Sequence, residues 1–108
     1  MSDTPVLDTL TEMTAASLAH GSLAAREHML TRLAALVAVD APAVSYLLNT
    51  ATAVDVGVTL EDVQGVLVAV APIVGTARVA SAAENITNAL GFAIAIAEAE
   101  ADAELTDE

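Results

Sequence analysis

Cysteine, tryptophan and lysine are all absent from this chain, and phenylalanine and tyrosine occur once each. Without cysteine there is no disulfide, no thiolate nucleophile and no dithiol that could cycle between oxidised and reduced forms. The same absence fits any redox compartment. Without lysine, three arginines stand against fifteen acidic residues, for a formal net charge of −12. Phosphate-backbone binding draws its affinity from clustered cations that release counterions. Nucleic acid and anionic membrane surfaces are therefore not expected as partners. With so few aromatic residues, the apolar bulk comes from Ala, Val, Leu and Ile, side chains that let helices approach closely while each covers little area.

At 108 residues the chain is the size of one domain. Apolar residues make up 56% of it, above the roughly 45–50% of a soluble domain, and the excess suggests surface meant for another subunit. Apolar runs such as residues 66–74 and 92–97 fall far short of the roughly 20 residues that span a bilayer. No membrane partner is expected on that count. The acidic opening, Met-Ser-Asp-Thr-Pro-Val-Leu-Asp, has no signal-sequence pattern, so the cytoplasm is the expected location. Six of the fifteen acidic residues lie in the last eleven positions. Residues 98–108 thus divide from a body of residues 1–97 as an acidic, solvated tail expected to fray, with like charges four apart at Glu98 and Asp102 and at Glu100 and Glu104.

Helical spacing runs through the whole body. Thr4 and Pro5 form a start signal for a helix over about 5–20, with Gly21 as its stop. Ser22 is placed to cap a second helix that turns Arg26, Met29, Leu30, Leu33, Leu36 and Val37 inward and ends near Asp40. Pro42 suits the first turn of a third helix, capped by Asp40 or Ala41 and running to about Asp55. Gly57 is a left-handed closure for it. Thr59 with Asp62 opens a fourth helix as a capping box, and Pro72 is expected to kink or end it. A fifth helix follows over about 77–101. The fourth and fifth helices carry stretches that are apolar on every face, which a five-helix monomer cannot cover. A homo-oligomer joined through these two helices is the expected consequence.

Few residues offer chemistry. His20 and His28 stand in no metal-ligand spacing, and Asp8 with Glu12 lacks a third ligand, so no metal or cofactor is expected. Arg32 and Arg78 each lie in a mostly apolar helix, where arginine suits a carboxylate in a partly buried place. An inter-helix salt bridge to Glu27, Asp40, Asp55 or Glu84 is the plainer expectation, and a clamp for a carboxylated ligand the functional one. Assembly of Ser45, His28 and Asp40 into a triad has no support in the spacing. The glycines match no phosphate loop.

The segment from Asp40 to Asn49 (Asp-Ala-Pro-Ala-Val-Ser-Tyr-Leu-Leu-Asn), followed by Val56 to Val63 (Val-Gly-Val-Thr-Leu-Glu-Asp-Val) and Ala71 to Gly75 (Ala-Pro-Ile-Val-Gly), carries a likeness. From about Arg26 to Leu90 the chain resembles the carboxymuconolactone decarboxylase and alkylhydroperoxidase D-like (AhpD-like) superfamily. The resemblance implies an all-α, AhpD-like domain of about five helices in a homotrimer or hexamer. In the redox branch a Glu is followed twelve residues on by Cys-x-x-Cys, with a His four residues after the second Cys. Those positions hold Leu30, Pro42, Ser45 and Asn49 here, so all four functional groups are replaced. Peroxidase activity is not expected, and a catalyst of this kind would be a cysteine-independent decarboxylase or lyase. The resemblance places a small, mostly apolar pocket at the junction of the second and third helices, with Arg32, Ser45, Tyr46 and Asn49 as candidates for orienting a small carboxylated or apolar ligand. The alternative is a structural or interaction oligomer with a retired site.

Overall fold

A computed structural model describes residues 2–106, apart from the side chains of Phe92 and of residues 104–106. Five helices follow in order: α1 (Pro5–His20), α2 (Ala25–Ala38), α3 (Ala43–Asp55), α4 (Leu60–Val74) and α5 (Thr76–Thr106). No strand occurs among the described residues, and the fold is all-α. Residues 98–106 of the acidic end continue α5 without a break, while Asp107 and Glu108 lie outside the described residues.

Helix ends show how the sequence sets these boundaries. Thr4 takes the N-cap position of α1 and Pro5 the first helical one, where its missing N–H leaves no bond unmade. The Thr4 hydroxyl donates to Asp8 Oδ1 at 3.2 Å instead of capping the main chain. Ser22 does not cap α2: the backbone is extended at Gly21, and Ala24 becomes the N-cap without a side-chain bond. Ser22 therefore lies two residues too early to reach the free N–H groups of α2. That helix closes through Asp40, whose φ of 54° is left-handed. The Asp40 N–H donates to the Val37 carbonyl at 3.2 Å and the Ala41 N–H to the Leu36 carbonyl at 3.0 Å, a Schellman closure. Because Asp40 completes α2 it cannot also open α3, and Pro42 takes that N-cap position in place of Asp40 or Ala41.

Helix α3 closes in the same manner at Gly57, φ 84°, with Val58 N–H donating to the Ala53 carbonyl at 2.9 Å. Thr59 and Asp62 then cap α4 reciprocally. The Asp62 N–H donates to Thr59 Oγ1 at 3.1 Å and the Thr59 N–H to Asp62 Oδ2 at 2.9 Å, a complete capping box. Pro72 does not end α4, which continues to Val74. The N–H that Pro72 lacks would have served the carbonyl of Val68, and Val68 is 74% exposed, so water can take the orphaned acceptor. Gly75, at φ 87°, ends the helix.

Helix α3 packs along α5 and α2 along α4, with α2 also touching α3 and α5. The core joins Val37, Ala41 and Tyr46 to Ala82, Ile86 and Ala89. The last three recur at i, i+4 and i+7 and so share one face of α5. Half-buried Leu33, Leu36, Leu47, Val63, Leu67 and Val70 pack around that centre. Beyond Leu90 the apolar character of α5 continues, but Ile94 and Ile96 are 59% and 47% exposed. Helix α1 has no buried residue and is tied to α2 through the Thr14 carbonyl, which accepts from Arg32. The molecule measures 52 × 31 × 26 Å.

Residues 76–103 of α5 are, by length and composition alone, long and apolar enough to cross a membrane. Counting uninterrupted apolar runs in the sequence misses this, because isolated Ser, Thr and Asn residues break the runs without much lowering the average. The first half of that helix contributes Ala82, Ile86 and Ala89 to the core.

Candidate functional site

Where α2, α3, the start of α4 and α5 converge, the bundle leaves a cavity of about 190 Å³. Helix α2 contributes Met29, Arg32, Leu33 and Leu36, and α3 contributes Tyr46, Asn49, Thr50 and Ala53. The Gly57 turn brings in Val58 and Thr59, and Ile86, Ala89 and Leu90 close the α5 side. The wall is aliphatic because these are the inward positions of four helices, and the space persists because Ala53 and Ala89 stand where larger residues would fill it.

Five polar residues reach this wall, and three are already engaged. Asn49 Nδ2 donates to the Ser45 carbonyl at 2.8 Å, Thr50 Oγ1 to the Tyr46 carbonyl at 2.9 Å, and Thr59 serves the α4 capping box. The other two are Tyr46 and Arg32. Tyr46 is only 6% exposed, and its buried hydroxyl has no hydrogen-bond partner among the described residues. Burial, and secondarily the charge of Asp40, push the phenol above its ordinary range, so at neutral pH it is a donor. Arg32 spends one donor on the Thr14 carbonyl, with Nη2 3.0 Å away.

Neither Arg32 nor Arg78 forms the salt bridge expected for it. Among the described residues the ion pair belongs to Arg26 and Asp62, at 2.6 Å. Arg78 donates to the carbonyl of Ala38, at the end of α2 where acceptors are left over from the helix. The capping Thr59 N–H, and then the Arg26 guanidinium and the Thr59 hydroxyl, hold the Asp62 carboxyl below its ordinary range.

Of the four candidate residues, Arg32, Tyr46 and Asn49 meet at the cavity, and Ser45 is not among the residues that line it. Ser45 takes part through its main-chain carbonyl, one turn before Asn49. The other replaced redox positions are Leu30, half-buried in α2, and Pro42, exposed at the start of α3. The contributions of Val58, Thr59, Ile86 and Ala89 were not read from the sequence. The spacing of Ala82, Ile86 and Ala89 was the available signal for the α5 side. Among the described residues no Asp, Glu, His, Ser or Cys lines the cavity, so those residues give its wall an anion donor and hydroxyls but no base and no activated nucleophile.

Arg32 also borders a second, open trough of about 540 Å³ at the α1–α2 turn, beside Ser17, His20, Gly21, His28 and Thr31. A Cβ on Gly21 would lie 3.1 Å from His28 Nδ1, so glycine is what lets the imidazole tuck under the turn. Among the described residues no group of three His, Cys, Asp or Glu side chains could hold a metal ion.

Comparison with known proteins gives one finding of similarity, to the model of the carboxymuconolactone decarboxylase family, which matches residues 4–89. No curated protein matches the chain, and no solved structure does. The match takes in α1 to α4, the turns between them and α5 as far as Ala89, which is most of the chain: this protein belongs to the carboxymuconolactone decarboxylase family.

Proposed function

We propose that this chain is a family member without redox chemistry, whose cavity takes up a small molecule with an apolar body and one carboxylate. The observation that carries this reading is the buried, partnerless hydroxyl of Tyr46 on the wall of an aliphatic cavity that also holds the Arg32 guanidinium. An unsatisfied buried hydroxyl costs roughly 1–3 kcal/mol, and a carboxylate that accepts from it removes that cost. Arg32 supplies the charge and can donate in fork geometry. About 150 Å³ of dry apolar space is enough for benzene, so a cavity of about 190 Å³ suits an aromatic ring or a six-carbon chain. Asn49, its nitrogen tied to Ser45, borders the ligand without being its main anchor. With no base on the wall, binding is favoured over a decarboxylase-like turnover, and with no thiol, peroxide is not a substrate.

Titration calorimetry with benzoate, hexanoate and benzyl alcohol tests this reading. Uptake of either acid at micromolar to millimolar dissociation constant, with benzyl alcohol far weaker and Arg32→Gln abolishing the difference, is the expected result. Equal affinity for acid and alcohol, or no uptake of either, contradicts it.

The second reading, a structural homo-oligomer, draws on the uncovered apolar surface of α1, α4 and α5, where Val6, Val68, Ile73 and Ile94 are 73%, 74%, 85% and 59% exposed. The two readings are compatible, since an oligomer can carry the cavity in each subunit.

A further inference from the structure

The open trough at the α1–α2 turn gathers the sign of charge that this chain has least of. Three arginines and two histidines are its only side chains that carry or can take up a positive charge, against fifteen acids. Arg32, His20 and His28, three of those five, border the trough, and no Asp or Glu among the described residues does. Ser17 and Ser22 add two hydroxyls. The Nε2 atom of His28 is buried and, like the Tyr46 hydroxyl, has no hydrogen-bond partner among the described residues. A buried polar atom left in that state is destabilising, and a ligand oxygen bound at His28 removes the penalty.

We propose that this trough binds a soluble phosphate monoester, held by Arg32 and the two histidines, and that its occupant competes with the cavity for Arg32. The competition rests on the ligand reading above, and the phosphate site does not. Chemistry narrows the ligand to this class. A guanidinium gives paired donors to a phosphate, and an imidazole keeps an N–H donor whether or not it is charged. Serine hydroxyls rotate to suit their partner. Donors drawn from α1, the turn and α2 suit a tetrahedral group with three terminal oxygens better than a planar carboxylate, which a single fork satisfies. A trough of about 540 Å³ leaves room beside the phosphate for a polar organic body. No Phe, Tyr or Trp among the described residues lines it, so a sugar or glycerol body fits better than a nucleobase, which needs a ring to stack on. An anionic bilayer is a poorer source of the same group, because a chain of net charge −12 is repelled by its surface potential. The competition follows from the place of Arg32, which lines both spaces and already gives one Nη2 donor to the Thr14 carbonyl. Two anions on the remaining donors repel each other, so phosphate in the trough weakens carboxylate uptake and, by linkage, the reverse.

The test is titration calorimetry of the full chain at constant ionic strength with inorganic phosphate, glycerol 3-phosphate and acetate, and with phosphatidylcholine vesicles containing phosphatidic acid. Both soluble phosphates should bind with micromolar to millimolar dissociation constants, and acetate at least about tenfold more weakly. Ser22→Asp sets a like charge in the trough and His20→Gln removes a donor that can be cationic. Each should cut phosphate affinity about tenfold with the circular dichroism spectrum unchanged, since both positions are exposed. Ala51→Asp, exposed on α3 and outside both spaces, should not. No uptake of either phosphate, uptake no tighter than that of acetate, or uptake that Ser22→Asp leaves intact overturns the site. So does binding to the vesicles alone. Saturating phosphate should weaken benzoate about tenfold, and a benzoate affinity that phosphate does not change overturns the competition. Phosphate uptake by a protein that takes up no benzoate supports the trough and overturns the cavity reading, whereas benzoate uptake without phosphate uptake does the opposite.

Discussion

The guanidinium of Arg32 donates to the main-chain carbonyl of Thr14 across 3.0 Å, so the cation of the cavity is also the hydrogen-bonded tie between α2 and α1. Lysine at this position keeps the charge but has a single ammonium instead of a planar fork. Arg32→Lys should lower benzoate affinity about tenfold, a loss of about 1.4 kcal/mol. It should change stability by less than about 1 kcal/mol, because the bond to Thr14 is exposed. Calorimetry paired with thermal melts separates the two effects.

Tyr46→Phe should act in opposite directions on the empty and occupied protein. Without a ligand it removes a buried hydroxyl that has no partner, so stability should hold or rise by up to about 1 kcal/mol. With a carboxylate present it removes a donor, and affinity should drop about fivefold to tenfold. A hydroxyl that only packs would make the substitution neutral in both measurements.

Because Tyr46 is the sole tyrosine and tryptophan is absent, ultraviolet titration reports this phenol alone. Its midpoint should lie above the usual value of about 10, because burial and then Asp40 disfavour the phenolate. In the unfolded chain the group ionises first, so its contribution to stability is intact below about pH 10 and is lost as pH rises further. A carboxylate accepting from the hydroxyl should push the midpoint higher again.

Asp62 works at the other end of the pH scale. Its carboxyl is held low by the Thr59 N–H, then by Arg26 and the Thr59 hydroxyl, so the folded state favours the charged form. The stabilisation is present above the unfolded value of about 3.9 and disappears as pH falls through the lower folded value. Asp62→Asn should flatten the acid limb of the stability curve while costing stability at neutral pH. Urea melts from pH 2 to 7 check the slope.

Glycine substitutions should split by backbone conformation. Gly57 has φ 84° and nothing within 4 Å of an added Cβ, so Gly57→Ala should cost about 1–2 kcal/mol from backbone strain alone. Gly65 also has open space but lies inside α4, and Gly65→Ala should stabilise by about 0.5–1 kcal/mol. Thermal melts of the two variants compare them directly.

The elements most legible in the sequence are those decided locally. Thr4 with Pro5, the left-handed Gly57 and the Thr59–Asp62 box were all visible as residue types in fixed order, and each has its expected place at a helix end. What was not legible depended on a neighbour. Asp40 looks like a cap for α3 until its use in closing α2 is known, and Pro72 looks like a stop until the exposure of Val68 is known. Arg32 and Arg78 look like salt-bridge partners, yet the helices deliver main-chain carbonyls to both. In the candidate site, Arg32, Tyr46 and Asn49 could be named because inward spacing and the family segment coincide there. Ser45 shares that segment but sits on a different side of α3 from the cavity, a one-residue rotation from Tyr46 that segment matching does not register.

The most direct measurement is a crystal structure of the full chain grown with benzoate. The ring should occupy the space bounded by Leu33, Ala53, Val63 and Ile86, with the carboxylate within hydrogen-bond distance of both Arg32 and the Tyr46 hydroxyl. An empty cavity at saturating benzoate, or a benzoate that leaves the Tyr46 hydroxyl without a partner, would contradict the assignment of this cavity as a carboxylate site.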